Sequence, residues 1–121
     1  LDAGMNDLIR PALYGAHHDL VPLAEPAAGH PVKIYDVVGP ICESTDKFAA
    51  GRSLPEVKSG DRLAFMSAGA YGAVLSSSYN ARPLVPEVLV DGDRFEIVRR
   101  RPKFEEMVGL EQVPEWLTIR A

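Results

Sequence analysis

A lone cysteine among 121 residues rules out any disulfide within the chain, and with it the small secreted folds that depend on cystine frameworks. A reducing, cytoplasmic setting is the expectation. No apolar run approaches the roughly 20 residues that a membrane-spanning helix requires, so a bilayer helix is excluded. Neither sign of charge dominates: 13 Lys and Arg against 17 Asp and Glu leave a net charge of −4, which offers no electrostatic footing for nucleic acid or an anionic membrane surface. Internal repeats and low-complexity segments are also absent. His17 and His18 are adjacent, so on a strand they point to opposite faces and cannot chelate one ion, and no metal site is expected.

Hydrophobic residues at 46% and charged residues at 25% describe an ordinary globular composition, and a chain of this length is expected to form one domain over residues 1–121. Ten prolines and ten glycines cut it into short runs, the punctuation of a mainly β fold. Residues 32–38 read as a strand leading into the loop that holds the cysteine, and residues 61–66 as a second strand leading into a glycine-rich segment with one tyrosine. Residues 17–23 add a further strand. Residues 88–98 predict a half-buried hairpin, because Asp91-Gly92 supplies a tight turn and Phe95 and Ile97 alternate with Arg94 and Glu96. After Pro102, the helical spacing of Phe104, Met107 and Val108 before Gly109 predicts a short C-terminal helix. Five or more strands with little helix imply a barrel or a sandwich, and periodicity does not choose between them. The basic run Arg99-Arg100-Arg101, followed by Lys103, Glu105 and Glu106, reads as a solvated face.

Three segments carry residues suited to chemistry. In Gly39-Pro40-Ile41-Cys42-Glu43-Ser44-Thr45-Asp46 the thiol sits against a carboxylate and two hydroxyls. Cys42 reads either as a small buried hydrophobe or as a general acid, since a thiol with an ordinary pKa of about 8.5 can donate a proton near neutrality. Glu43 reads as a solvated loop carboxylate or as a charge-assisted acceptor for an ammonium, while Ser44 and Asp46 suit the capping of a turn. In the second segment, Asp2 to Tyr14, Arg10 lies among the apolar residues Leu8, Ile9 and Leu13, expected to be packed. Its guanidinium is either a surface group on a buried stem or a fork for a carboxylate, with Tyr14 four residues on adding a hydroxyl from the same turn. In the third, Ser67-Ala68-Gly69-Ala70-Tyr71-Gly72-Ala73, small residues strip bulk from around Tyr71, either for close strand packing or for a ligand approaching the backbone.

Together, Gly4-Met5-Asn6-Asp7-Leu8-Ile9-Arg10-Pro11, Cys42-Glu43-Ser44 and the segment around Tyr71 resemble the C-terminal domain of the diaminopimelate decarboxylase family, in the fold group of ornithine decarboxylase and alanine racemase. The resemblance spans nearly the whole chain. It implies a lyase that uses pyridoxal 5'-phosphate to convert meso-2,6-diaminopimelate to L-lysine and CO2, in lysine biosynthesis. It assigns Cys42 the protonation of the carbon left when CO2 departs, and Glu43 the distal amino group of the substrate. Arg10 and Tyr14 are assigned the distal carboxylate. Tyr71 is assigned to the substrate and cofactor site, with its contact to the cofactor phosphate. The segment Ser76-Ser77-Ser78-Tyr79-Asn80-Ala81-Arg82-Pro83 also resembles the family and reads as framework.

The cofactor of this family is held by a lysine, and Lys33, Lys47, Lys58 and Lys103 all lie in polar, surface-like contexts unlike its cofactor motif. That lysine is therefore expected on an N-terminal (β/α)8 barrel outside this chain. Leu1 to Gly4 reads as the middle of a strand-to-loop passage, in keeping with a fragment of a two-domain enzyme that is inactive alone. The resemblance further implies a homodimer with shared active sites, in which Cys42 and Glu43 act in trans to Arg10 and Tyr14. The alternatives are a related ornithine, arginine or carboxynorspermidine-type decarboxylase, or a non-catalytic homologue acting as a binding module. Decarboxylases of substrates with a plain cationic side chain have no use for a second carboxylate clamp.

Overall fold

Pro11 presets the backbone near the start of the first element, and Gly15 ends it at φ 63, so α1 is confined to Arg10–Tyr14. In this computed structural model, which describes residues 1–117, the elements of a first unit (residues 1–80) follow in order. They are β1 (Leu20–Pro22), β2 (Val32–Val38), β3 (Lys47–Pro55), β4 (Leu63–Phe65), α2 (Gly72–Leu75) and a 3-10 turn at Tyr79–Ala81. The β-branched and aromatic run of β2 pairs antiparallel with β3, with Val32 opposite Pro55 and Tyr35 opposite Arg52. The register shifts after Tyr35, where Gly51 at φ 61 donates its backbone N–H to Asp36 Oδ1 at 2.8 Å. β1 pairs antiparallel with β4, Leu20 facing Phe65. Pro22 and Pro55 close their strands because neither has an N–H to extend the ladder.

Leu8, Leu20, Val37, Phe48 and Leu54 form the buried cluster of this unit, with the Phe48 and Phe65 rings 4.6 Å apart and tilted by 48°. Leu8 thus packs as expected. Leu13 does not: it is 57% exposed, on the outer side of α1.

The second unit begins at Ala81 and contains β5 (Glu87–Asp91), β6 (Arg94–Arg99), α3 (Phe104–Val108) and a 3-10 turn at Glu115–Leu117. β5 and β6 form the hairpin expected of Asp91-Gly92, with Gly92 at φ 64. α3 is the short helix expected after Pro102. Glu106 caps it by accepting the Lys103 backbone N–H at 2.7 Å and pairing with Arg100, contacts that pull its carboxyl down to about 2.

Three expectations are corrected. The hairpin is not half-buried, since Phe95 is 70% and Ile97 61% exposed. A two-stranded ribbon has no second layer of its own against which to bury its apolar face. The mainly β character holds, but the strands form three separate two-stranded ladders and no closed barrel among the described residues. The strand expected over residues 61–66 also contracts to three residues, because Asp61 instead accepts the Lys58 N–H at 2.7 Å in a turn that places Gly60 at φ 94. No helix among the described residues is long and apolar enough to cross a membrane.

Candidate active site

The cysteine loop, residues 39–46, joins β2 to β3 and is built around one buried carboxylate. Asp46 is 3% exposed, and its Oδ2 accepts the Ile41 N–H at 2.6 Å while its Oδ1 accepts the Met5 N–H at 2.7 Å. Its backbone closes the loop as well, taking the Gly39 N–H at 3.0 Å and giving its own N–H to the Glu43 carbonyl at 3.0 Å. Gly39 is required here. A Cβ on it would lie 2.3 Å from Asp46 Oδ2. Asp46 is therefore a turn-forming residue, as its type suggested, and it also crosses 41 residues of sequence to hold the turn at residues 4–8.

That turn is tied internally by Asp7 N–H to the Gly4 carbonyl and Gly4 N–H to Asp7 Oδ2, both at 2.9 Å. Gly4 packs so tightly against Asn6 and Ile41 that an added Cβ would lie within 2.9 Å of each. Asn6 is 2% exposed; its carbonyl accepts the Ser77 N–H at 2.9 Å, and its Nδ2 reaches the Ser77 carbonyl at 3.5 Å. Through Asn6 the segment after α2 is anchored to the same turn.

With its base fixed, the tip of the loop presents Cys42 and Glu43, both exposed. Each has one partner from the 3-10 turn. The Tyr79 hydroxyl donates to Glu43 Oε1 at 2.5 Å, and Asn80 Nδ2 donates to Cys42 Sγ at 3.4 Å. The bond to Glu43 and the negative charge beside it both penalise a phenolate, so the Tyr79 hydroxyl is held above its ordinary pKa and remains a proton donor at neutral pH. Cys42 is not the buried small hydrophobe that a lone cysteine commonly is.

Arg10 and Tyr14 stand four residues apart on α1, which begins directly after the turn at residues 4–8. Arg10 is half-buried, and its Nε is buried without a hydrogen-bond partner. Tyr14 is 65% exposed. No hydrogen bond joins this pair to Cys42 or Glu43 among the described residues. The structure thus groups the candidate residues in two separate pairs, a thiol with a carboxylate on one loop and a guanidinium with a phenol on one helix.

Tyr71 precedes α2 in a left-handed conformation, φ 61, shared by Ser67 at φ 53. Its side chain is 66% exposed, and a Cβ placed on Gly69 or Gly72 would meet nothing within 4 Å. Gly69 and Gly72 therefore leave open space beside the backbone next to Tyr71, while Ala68 packs against the core. An exposed phenol bordered by such space fits a hydrogen bond to a phosphate. Two of the lysines are held in ion pairs: Lys33 with Glu56 at 2.5 Å, which raises its pKa, and Lys47 3.8 Å from Asp36. Two concavities of the first unit lie elsewhere, one lined by Leu23, Pro26, His30, Glu56, Val57 and Arg62 and the other by Leu1, Ala3, Lys58, Leu63 and Phe65, and none of the candidate residues borders either.

Sequence reasoning missed Tyr79 and Asn80. The available signal was an aromatic hydroxyl and an amide in a serine-rich stretch before Pro83, in a segment read only as framework.

The model of the pyridoxal-dependent decarboxylase C-terminal sheet domain matches residues 1–69, more than half of the chain. The chain belongs to this family. More particularly, diaminopimelate decarboxylase of Archaeoglobus fulgidus is 49% identical over 117 residues, which are 97% of this chain and 28% of that protein. The crystal structure of diaminopimelate decarboxylase from m. jannaschii in co-complex with L-lysine matches with a TM-score of 0.88 at 34% identity, over 96% of this chain and 26% of that one. The Helicobacter pylori enzyme complexed with L-lysine matches with a TM-score of 0.82 at 41% identity, over 91% and 27%. The chain spans little more than a quarter of the length of these relatives.

The Asp46 network yields a stability prediction. Asp46→Ala strands the Met5 and Ile41 N–H groups, and the loss is expected to lower unfolding free energy by about 2–4 kcal/mol. Denaturant melts of the two proteins measure it, and a difference below about 0.5 kcal/mol would show that the carboxylate does not hold the loop.

Proposed function

We propose that this chain is the C-terminal β domain of a two-domain, pyridoxal-phosphate-dependent diaminopimelate decarboxylase that converts meso-2,6-diaminopimelate to L-lysine and CO2. The observation that carries the substrate class is the buried, unpartnered Nε of Arg10 on the helix it shares with Tyr14. A planar fork of donors with an unmet N–H is matched by a carboxylate that is not the one lost, and only an amino diacid brings a second one. Identity near 49% to an enzyme of that name, and the L-lysine in two related crystal structures, support the same reading. A decarboxylase of ornithine, arginine or a similar cationic substrate would have no partner for Arg10.

In this reading Arg10 and Tyr14 bind the distal carboxylate and so set the length and charge of the substrate. Glu43 receives the distal ammonium on its carboxylate. Pyridoxal phosphate, when bound, supplies an electron sink for the pair of electrons that the departing CO2 leaves behind. Tyr71 offers its hydroxyl to the phosphate of that group, whose covalent lysine belongs to an N-terminal (β/α)8 barrel. Cys42 holds the proton that is delivered to the carbon from which CO2 has left. The three two-stranded ladders complete a barrel or sandwich within the full cytoplasmic enzyme, and that enzyme is a homodimer in which Cys42 and Glu43 of one subunit serve the Arg10 and Tyr14 of the other.

Arg10→Ala in the full-length enzyme is expected to raise KM for meso-diaminopimelate and lower kcat/KM by roughly a hundredfold or more, since a charge-assisted bidentate contact is worth about 3 kcal/mol. Near-normal steady-state kinetics would remove Arg10 from the site and with it the diacid reading. The shared site is tested by mixing a Cys42→Ala enzyme with one lacking the barrel lysine. Random exchange should restore about a quarter of wild-type activity, because half of the dimers then carry one intact site of two. Absence of recovery after proven subunit exchange would put Cys42 in its own subunit's site.

A further inference from the structure

Tyr79 and Asn80 are adjacent in sequence, and their side chains reach the adjacent pair Glu43 and Cys42 in the opposite order. Neither contact is a consequence of local sequence, for 36 residues separate Tyr79 from Glu43 and 38 separate Asn80 from Cys42. The turn that delivers them is unusual. Asn80 lies at φ 57, ψ 30 and Ala81 at φ 55, a left-handed stretch that asparagine tolerates better than most residues and alanine does not. It is held in place by Asn6, which grips Ser77 through both its carbonyl and its amide, and by the Tyr79 N–H to Ser77 Oγ at 3.4 Å.

We propose that Tyr79 and Asn80 are positioning residues for the decarboxylase reaction, Tyr79 fixing the Glu43 carboxylate for the substrate ammonium and Asn80 fixing the Cys42 thiol for proton delivery. The inference rests on the functional reading above. Its chemistry follows from the donors used. The phenol occupies Oε1 as a neutral donor, leaving Oε2 for an ammonium, whereas a cationic partner would have competed with the substrate for the carboxylate's charge. The penalty that Glu43 places on a phenolate keeps Tyr79 in this donor role. At the thiol, the amide N–H donates to sulfur. The S–H proton is thereby directed away from Asn80, toward the open side of the exposed loop.

The two residues should therefore affect different kinetic constants in the full-length enzyme. Tyr79→Phe keeps the ring and removes only the donor; it is expected to raise KM for meso-diaminopimelate about tenfold with kcat within about threefold of wild type. In a Glu43→Gln background the same change should have little further effect, because Tyr79 acts through Glu43. Asn80→Gly retains the left-handed backbone and removes the amide. It is expected to lower kcat about tenfold with KM within about threefold and the melting temperature nearly unchanged. If Asn80 serves only the turn, Asn80→Gly will keep full kcat, and that result overturns its half of the proposal. An equal Tyr79→Phe effect on KM with and without Glu43→Gln, or a lowered melting temperature with wild-type KM, overturns the other half. Wild-type enzyme that folds yet does not decarboxylate meso-diaminopimelate would instead refute the functional reading on which both stand.

Discussion

The buried carboxylate of Asp46 is the constraint on which the candidate site depends. It is 3% exposed, and it is stabilised there by backbone N–H donors from two separate segments, one within its own loop and one at Met5. Gly39 exists to let it in, and the backbone of the loop closes around it. From Met5 the connection runs to Asn6, from Asn6 to Ser77, and from the turn after Ser77 back to Glu43 and Cys42. The hydrogen bonds form a closed circuit that begins at the base of the loop and returns to its tip. A loop tip is ordinarily the most mobile part of a hairpin, and this circuit supplies the rigidity that two exposed reactive side chains would otherwise lack.

The same architecture explains why the chain holds chemistry without enclosing it. Cys42, Glu43, Tyr14 and Tyr71 are all exposed, and none of them lines the concavities found in the first unit. Arg10 keeps its Nε buried and without a hydrogen-bond partner. In the proposed function these groups meet a ligand that other walls surround, and the chain spans little more than a quarter of its relatives' length. On the β5–β6 hairpin, Phe95 and Ile97 also stand exposed, as the apolar side chains of a two-stranded ribbon do.

Features set by neighbouring residues were legible in the sequence. The β-branched run at Val32–Val38 and the Asp91-Gly92 turn appear where their composition places them, and the helix after Pro102 ends at Gly109. Burial was less legible: alternation along β6 identifies an apolar face without saying whether anything covers it. Cys42 and Glu43 were found because reactive types stand together in one octet. Tyr79 and Asn80 were not, since their partners lie 36 and 38 residues away and only the fold joins them. Asp46 was half legible, its type announcing a capped turn while its bond to Met5 across 41 residues had no local signal.

The central claim is that this framework holds Cys42 as a proton donor and not as a packing residue. The most direct measurement is kcat of full-length Cys42→Ala beside its melting temperature. The account predicts a loss in kcat of roughly a hundredfold to ten-thousandfold, the range for a positioned general acid, with folding, dimerisation and cofactor content retained. A variant with kcat close to wild type and a lowered melting temperature would contradict it.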